Sequence, residues 1–222
     1  LPRLARDVPV DRALNTFAAP IPDPIYVQAH RGGLREVPEN TMAAYYQAWR
    51  LGTIPEIDIR TTSDGVIICL HDSTLKRTTN ARDQADVPVS QLTLTELQRY
   101  DAGGWFDPAF AHECIPTLKQ VFQVLQRHRD YQIYLDLKAV ELSQLAALIE
   151  TYQVADQIIF CHNRIDSCKT MKAAIPQLRT MLWIGGHPDA IWRDYQAAAA
   201  SDFTHLDQVQ LHLKATEGTW PF

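Results

Sequence analysis

The residue order predicts an α/β domain, a parallel sheet with helices packed outside it, arranged either as a barrel or as a doubly wound sheet. Three observations carry this expectation. Short apolar runs alternate with amphipathic segments from about residue 25 onward, the pattern of repeated strand–helix units. No internal repeat, low-complexity stretch or compositional break divides the chain, so one domain is expected. Polar residues capable of chemistry cluster where the strands should end, which is where parallel α/β folds bind their ligands.

Five prolines (Pro2, Pro9, Pro20, Pro22, Pro24) make residues 1–24 an extended N-terminal arm, leaving 25–222 as the folded domain. Residues 25–29 read as the first strand, and 41–51 as a helix with Asn40 as its N-cap. Residues 54–60 and 66–70 are strands joined through Ser63-Asp64-Gly65, a turn signal. A polar, turn-rich insert follows over about 72–116, with one helix at 94–100 capped by Thr93 or Thr95. Leu118, Val121, Phe122 and Leu125 then fall on one helical stripe. Strands at 132–137, 158–161 and 180–184 alternate with helices at 142–152, 167–174 and 190–200, and a weakly alternating run spans 203–213. Leu145, Leu148, Ile149 and Tyr152 form the inward face of the 142–152 helix.

With 222 residues and 46% hydrophobic side chains, the chain can bury one large core. Lys plus Arg is 21 against 26 for Asp plus Glu, a net charge of −5 that argues against a nucleic-acid partner. No apolar run approaches the ~20 residues of a transmembrane segment. Cys69, Cys114, Cys161 and Cys168 form no CxxC pair and no ligand spacing, so free thiols are expected, buried where their neighbours are apolar. The proline-rich arm and the start at Leu1 point to a periplasmic or secreted protein, with a cytoplasmic one as the alternative. Oligomeric state is left open.

Four groups of residues carry the chemistry. His30-Arg31-Gly32-Gly33 follows the first strand, with Glu39-Asn40-Thr41 opening the next helix. Glu56 and Asp58 lie two apart in a strand, so both carboxylates leave the same face. His71-Asp72 ends another strand, and Asp136 and Lys138 again share a face. Glu56, Asp58 and Asp136 make an all-oxygen set of the kind that hard divalent cations favour, Mg²⁺ or Ca²⁺. His30 and His71 titrate near neutrality and suit a general base and a general acid. Arg31 and Lys138 beside such a set suit a small anionic substrate with phosphate oxygens. The combination points to metal-assisted cleavage of a phosphate ester. Neither GxGxxG nor GxxxxGK[ST] is present to support a nucleotide-driven reaction.

The motif text is QAHRGG (28–33), PENT (38–41), EIDIRTTSDGVIICLHDSTLKRTT (56–79), LTLTELQRYDAGGWF (92–106), IPTL (115–118) and LDLK (135–138). In order and spacing, over about residues 28–182, it resembles the glycerophosphodiester phosphodiesterase family. The resemblance implies a TIM (β/α)8-type barrel and hydrolysis of glycerophosphodiesters to glycerol 3-phosphate and an alcohol. It implies His30 and His71 as the acid/base pair, and Glu56, Asp58 and Asp136 as ligands of one divalent cation. Arg31 and Lys138 become phosphate binders. The family more often carries Glu where this chain has Asp136. Seven strand candidates are counted and an eighth would lie past Phe222, so the barrel is expected to lack its last strand.

A phospholipase D-type enzyme acting on lysophospholipid or sphingomyelin is the neighbouring alternative, and an inactive barrel binding a phosphorylated ligand the remote one. Asp72 either orients His71 or caps the following turn. Trp105 and Phe106 either anchor their loop or line the substrate mouth, and His162, Trp183, His205 and Asp207 stay unassigned.

Overall fold

A computed structural model describes residues 26–33 and 35–212. The arm expected over 1–24 and the last residues of the chain lie outside that range. The described residues form seven strands: β1 (Gln28–Ala29), β2 (Ile54–Thr61), β3 (Ile67–Cys69), β4 (Ile133–Ala139), β5 (Ile158–His162), β6 (Arg179–Gly185) and β7 (Gln208–His212). Between them run α1 (Met42–Arg50), α2 (Leu94–Leu97), α3 (Leu118–Arg127), α4 (Leu142–Tyr152), α5 (Ile165–Ala174) and α6 (Pro188–Ala200). Among the described helices none is long and apolar enough to cross a membrane.

Among the described residues six strands are parallel, in the order β1-β2-β4-β5-β6-β7, and form part of the wall of a TIM-type barrel. The seventh departs from the strand–helix alternation. β3 turns back antiparallel on β2 (Ile59 opposite Cys69), because the Ser63-Asp64-Gly65 turn is too short for the crossover that a parallel neighbour needs. The Gly65 N–H donates to Thr62 O, and the Thr62 hydroxyl donates to Asp64, which closes that turn. The wall curves far enough for Gln210 Nε2 on β7 to donate to Gln28 Oε1 on β1 at 2.8 Å, although no backbone ladder joins these two strands among the described residues.

Strand alternation divides the core into layers. Ile57, Ile59, Ile133, Leu135, Ile158 and Phe160 point outward and pack under Leu118, Val121, Phe122, Leu125, Leu145 and Ile149 of α3 and α4. Ile54, Tyr134, Ile159, Cys161 and Met181 point inward and floor the barrel. Leu148 and Tyr152 of α4 are only partly buried at the edge of the outer layer. A capping box between Thr117 and Gln120 starts α3, each satisfying the other's backbone N–H. The 72–116 insert is more than a loop. Leu75, Val89, Leu92, Leu97 and Ile115 pack with Ile68 of β3 and the following Leu70 into a small second core, and α2 inside the insert stops at Leu97, shorter than expected. Trp105 and Phe106 meet edge-on within this insert, Trp105 partly exposed, and neither lines the barrel cavity. All four cysteines are free, three buried and Cys114 exposed.

Candidate active site

The site is built at the carboxyl ends of β1, β2 and β4. Period two places Glu56 and Asp58 on the inner face of β2 while Ile57 and Ile59 face the helices. The parallel register sets Asp58 opposite Asp136 on β4, so the third carboxylate arrives by strand pairing alone. Oxygens of Glu56, Asp58 and Asp136 all lie within 4.8 Å of one another. Glu56 and Asp58 are 3% and 1% exposed, a placement that is costly for two anions without cations to compensate them.

Part of that compensation comes from the chain itself. Lys138 Nζ lies 2.8 Å from Asp136 Oδ2 and 3.1 Å from Asp58 Oδ1, and Arg31 Nε lies 3.5 Å from Asp58 Oδ2. The Arg31 backbone N–H donates to Glu56 Oε2 at 2.7 Å. Asn40 pins Asp58 from two sides: its Nδ2 donates to Oδ2 at 2.7 Å, and its Oδ1 accepts the Asp58 backbone N–H at 3.1 Å. This explains a correction to the sequence reading. Thr41, not Asn40, caps α1, accepting from the Ala44 N–H, while Asn40 takes a left-handed φ of 54° and gives its side chain to the site.

The compensation is incomplete. Glu56 Oε1 is buried with no hydrogen-bond partner, and Asp58 Oδ1 has only its ion-pair contact with Lys138. Burial, and then the neighbouring Asp58, push the Glu56 carboxyl well above the usual range. Burial also raises Asp136, against the opposing pull of Lys138. For Lys138, burial works against the ammonium, but Asp136 and Asp58 outweigh it and raise its pKa. Three converging carboxylates, with Glu56 Oε1 buried and unpartnered, fit a hard divalent cation, an all-oxygen ligand set.

The histidines stand beside the triad. His30 opens a 3₁₀ turn (His30–Gly32) at the end of β1, with Nε2 4.0 Å from Glu56 Oε2. Burial and the adjacent Arg31 hold its pKa below the ordinary histidine value. His71 is brought in by the β2–β3 hairpin: the Leu70 N–H donates to the Asp58 carbonyl, so the next residue sits next to the triad strand. Arg60 Nε fixes the His71 carbonyl at 2.8 Å. His71 Nδ1 lies 2.7 Å from Asp72 Oδ1, which decides the open question: Asp72 holds the ring. Because hydrogen bonds from Arg77, and then from His71, keep the Asp72 carboxyl well below its usual range, it accepts and Nδ1 must carry the hydrogen.

The turn at His30–Gly32 admits only glycine at its last position. Gly32 has φ +85°, and a Cβ there would meet Ala44 Cβ at 2.6 Å. Gly32→Ala is expected to cost about 2–4 kcal/mol of stability, combining left-handed strain with overpacking, and denaturant unfolding measures it.

A cavity of 660 Å³ runs from His30, Glu56 and Asp136 into the barrel, where Gln28, Tyr134 and Gln208 line it. Trp183, one of the unassigned residues, forms its wall by stacking on His212 with ring centroids 5.1 Å apart. His162 lies off this cavity at the end of β5. Asp207 is structural: its Oδ2 receives Lys172 Nζ at 2.8 Å and the Thr180 N–H at 2.7 Å. The His205 carbonyl likewise accepts the Thr180 hydroxyl. Glu39, grouped with His30 and Arg31 in the sequence but given no role, is the acceptor of Arg31, and Arg77 is a partner that the sequence reading does not single out. Only the position of Glu39 beside Asn40 in the loop that opens α1 hinted at one of them.

Residues 30–216 match the family model described as the glycerophosphoryl diester phosphodiesterase family. A glycerophosphodiester phosphodiesterase of Caldanaerobacter subterraneus is 34% identical over 161 residues, covering 69% of this chain and 64% of that protein. The mouse glycerophosphodiester phosphodiesterase 1 is 34% identical over 175 residues, covering 78% of this chain and 50% of the relative. The chain thus spans between half and two thirds of these two relatives. In fold it is similar to a glycerophosphodiester phosphodiesterase from Agrobacterium tumefaciens, with a TM-score of 0.62 and 24% identity over 85% of this chain and 96% of that one. It is also similar to a phosphodiesterase from Oleispira antarctica solved with the product sn-glycerol-3-phosphate, with a TM-score of 0.68 and 23% identity over 87% and 86% of the two chains. By the span of the family match and the motifs inside it, the chain belongs to the glycerophosphoryl diester phosphodiesterase family.

Proposed function

We propose that the protein hydrolyses glycerophosphodiesters to glycerol 3-phosphate and an alcohol, using one divalent cation, Mg²⁺ or Ca²⁺, held by Glu56, Asp58 and Asp136. The observation that carries this reading is the convergence of three carboxylates, one of them with a buried oxygen that has no partner (Glu56 Oε1), beside two histidines at strand ends. The cation, when bound, would draw charge from the phosphoryl oxygens.

The chain's own groups supply the rest. Arg31 and Lys138, whose charged ends lie at the rim of the triad, bind and orient the non-bridging phosphate oxygens. Burial holds His30 below the ordinary histidine pKa, which favours the neutral ring, so it suits removal of the proton from the nucleophile, either a water or the glycerol hydroxyl, the latter forming a cyclic phosphate that a water then opens to glycerol 3-phosphate. His71 then returns a proton from Nε2 to the departing alkoxide, because Nδ1 is committed to Asp72, which also stabilises the charged ring.

Release of glycerol 3-phosphate from glycerophosphocholine tests the reading. Turnover is expected with Mg²⁺ or Ca²⁺, and chelator should abolish it. Turnover that ignores chelator would refute the metal requirement. A lack of release from choline, ethanolamine and inositol diesters alike would refute the activity.

A further inference from the structure

We infer that Arg77 is a positioning residue that sets His71 and Arg31 together through the two carboxylates between them. The inference rests on the roles given to His71 and Arg31 above. Arg77 lies in the turn-rich insert, outside the triad and the histidine pair. Its guanidinium makes two forked contacts. Nε and Nη2 donate to Asp72 at 2.8 and 2.9 Å, and Nη1 and Nη2 donate to Glu39 at 2.7 and 2.8 Å. Each carboxylate then holds one further group at the site. Asp72 Oδ1 accepts His71 Nδ1 at 2.7 Å, and Glu39 Oε1 accepts Arg31 Nη1 at 2.9 Å.

The result is one connected series: His71, Asp72, Arg77, Glu39, Arg31. It joins the loop after β3 to the loop before α1 across 38 residues of sequence. An isolated exposed ion pair contributes little, but here both Arg77 contacts are bidentate and charge-assisted, and Glu39 is buried. Only the planar fork of arginine can serve both carboxylates at once; a lysine ammonium cannot reproduce the geometry. Without Arg77, Asp72 is free to swing off His71 and Glu39 loses the partner that squares it to Arg31. A ring turned away from its productive tautomer, or a phosphate ligand displaced by an ångström, acts on turnover and not on folding alone.

The test compares wild type with Arg77→Gln and Arg77→Lys by steady-state kinetics on glycerophosphocholine and by ¹⁵N NMR of the histidine side chains. At a pH where the ring is neutral, wild type is expected to show one His71 tautomer with hydrogen on Nδ1; the proton that His71 delivers from Nε2 is carried only by the charged ring. In Arg77→Gln that signature should become a mixture while the His30 signals stay in place. In parallel, kcat should fall about 10²-fold, with Arg77→Lys between Gln and wild type. A His71 tautomer unchanged in both variants would overturn the inference, whether the fall in kcat is absent or is matched by a general loss of stability. If wild type itself fails to turn over the diester, the functional reading fails, and the tautomer comparison still decides the role of Arg77.

Discussion

Glu56→Gln is expected to lower kcat/KM at least ~10³-fold, the several kcal/mol that a bound cation contributes to a phosphoryl transition state. The same variant, free of metal, should be more stable than wild type at pH 8. The two effects have one cause. Burial of the Glu56 carboxyl, and then the neighbouring Asp58, raise its pKa well above the ordinary glutamate value. The folded metal-free protein therefore favours the protonated acid. Its contribution to stability is fully present below the unfolded value and is lost as pH rises through the raised folded value. Gln carries no charge to lose, and its amide oxygen can still accept the Arg31 N–H that Glu56 Oε2 now receives. Adding Mg²⁺ reverses the ranking: at a hundredfold excess over Kd, wild type gains about 2.7 kcal/mol and the variant does not. Thermal melts at pH 8 with chelator and with Mg²⁺ measure this. A ranking that is the same in both conditions contradicts the metal role of Glu56.

His30→Ala and His71→Ala should each lower kcat by about 10²–10⁴-fold while leaving the metal-induced rise in melting temperature intact. Neither ring belongs to the carboxylate triad, and both are partly exposed at strand ends, so truncation leaves the core unchanged. The two should differ in partner dependence. Asp72→Asn should reproduce most of the His71→Ala loss, since an amide can satisfy the wrong ring tautomer, and should have no counterpart at His30. If either alanine variant retained more than about a tenth of wild-type kcat, that histidine would have no part in proton transfer.

Much of this was legible before the fold was known, because the informative residues obey strand periodicity. Glu56 and Asp58, like Asp136 and Lys138, are two apart, and a period-two strand must present each pair on one face. Their union across β2 and β4 depends on register, which follows once the strands are parallel neighbours. Other features depend on partners distant in sequence. Asn40 has the composition of an N-cap, and only its contact with Asp58 shows why Thr41 takes that position. The insert's core draws on Ile68, Leu75, Val89 and Ile115 at no regular spacing, so periodicity could not reveal it. β3 fitted the strand pattern, and only the brevity of its turn distinguishes a hairpin from a further parallel strand. Arg77 lies 38 residues from Glu39, and no local signal marks that pairing.

Calorimetric titration of Mg²⁺ and of Ca²⁺ into chelator-treated protein tests the central claim most directly, in wild type and in Asp58→Asn. Asp58 is the carboxylate that borders both other ligands, Lys138 and Arg31. One binding event per chain in wild type, lost in Asp58→Asn, is the expected result. Equal binding in both proteins, or no binding by a folded wild type, would contradict a cation site at Glu56, Asp58 and Asp136.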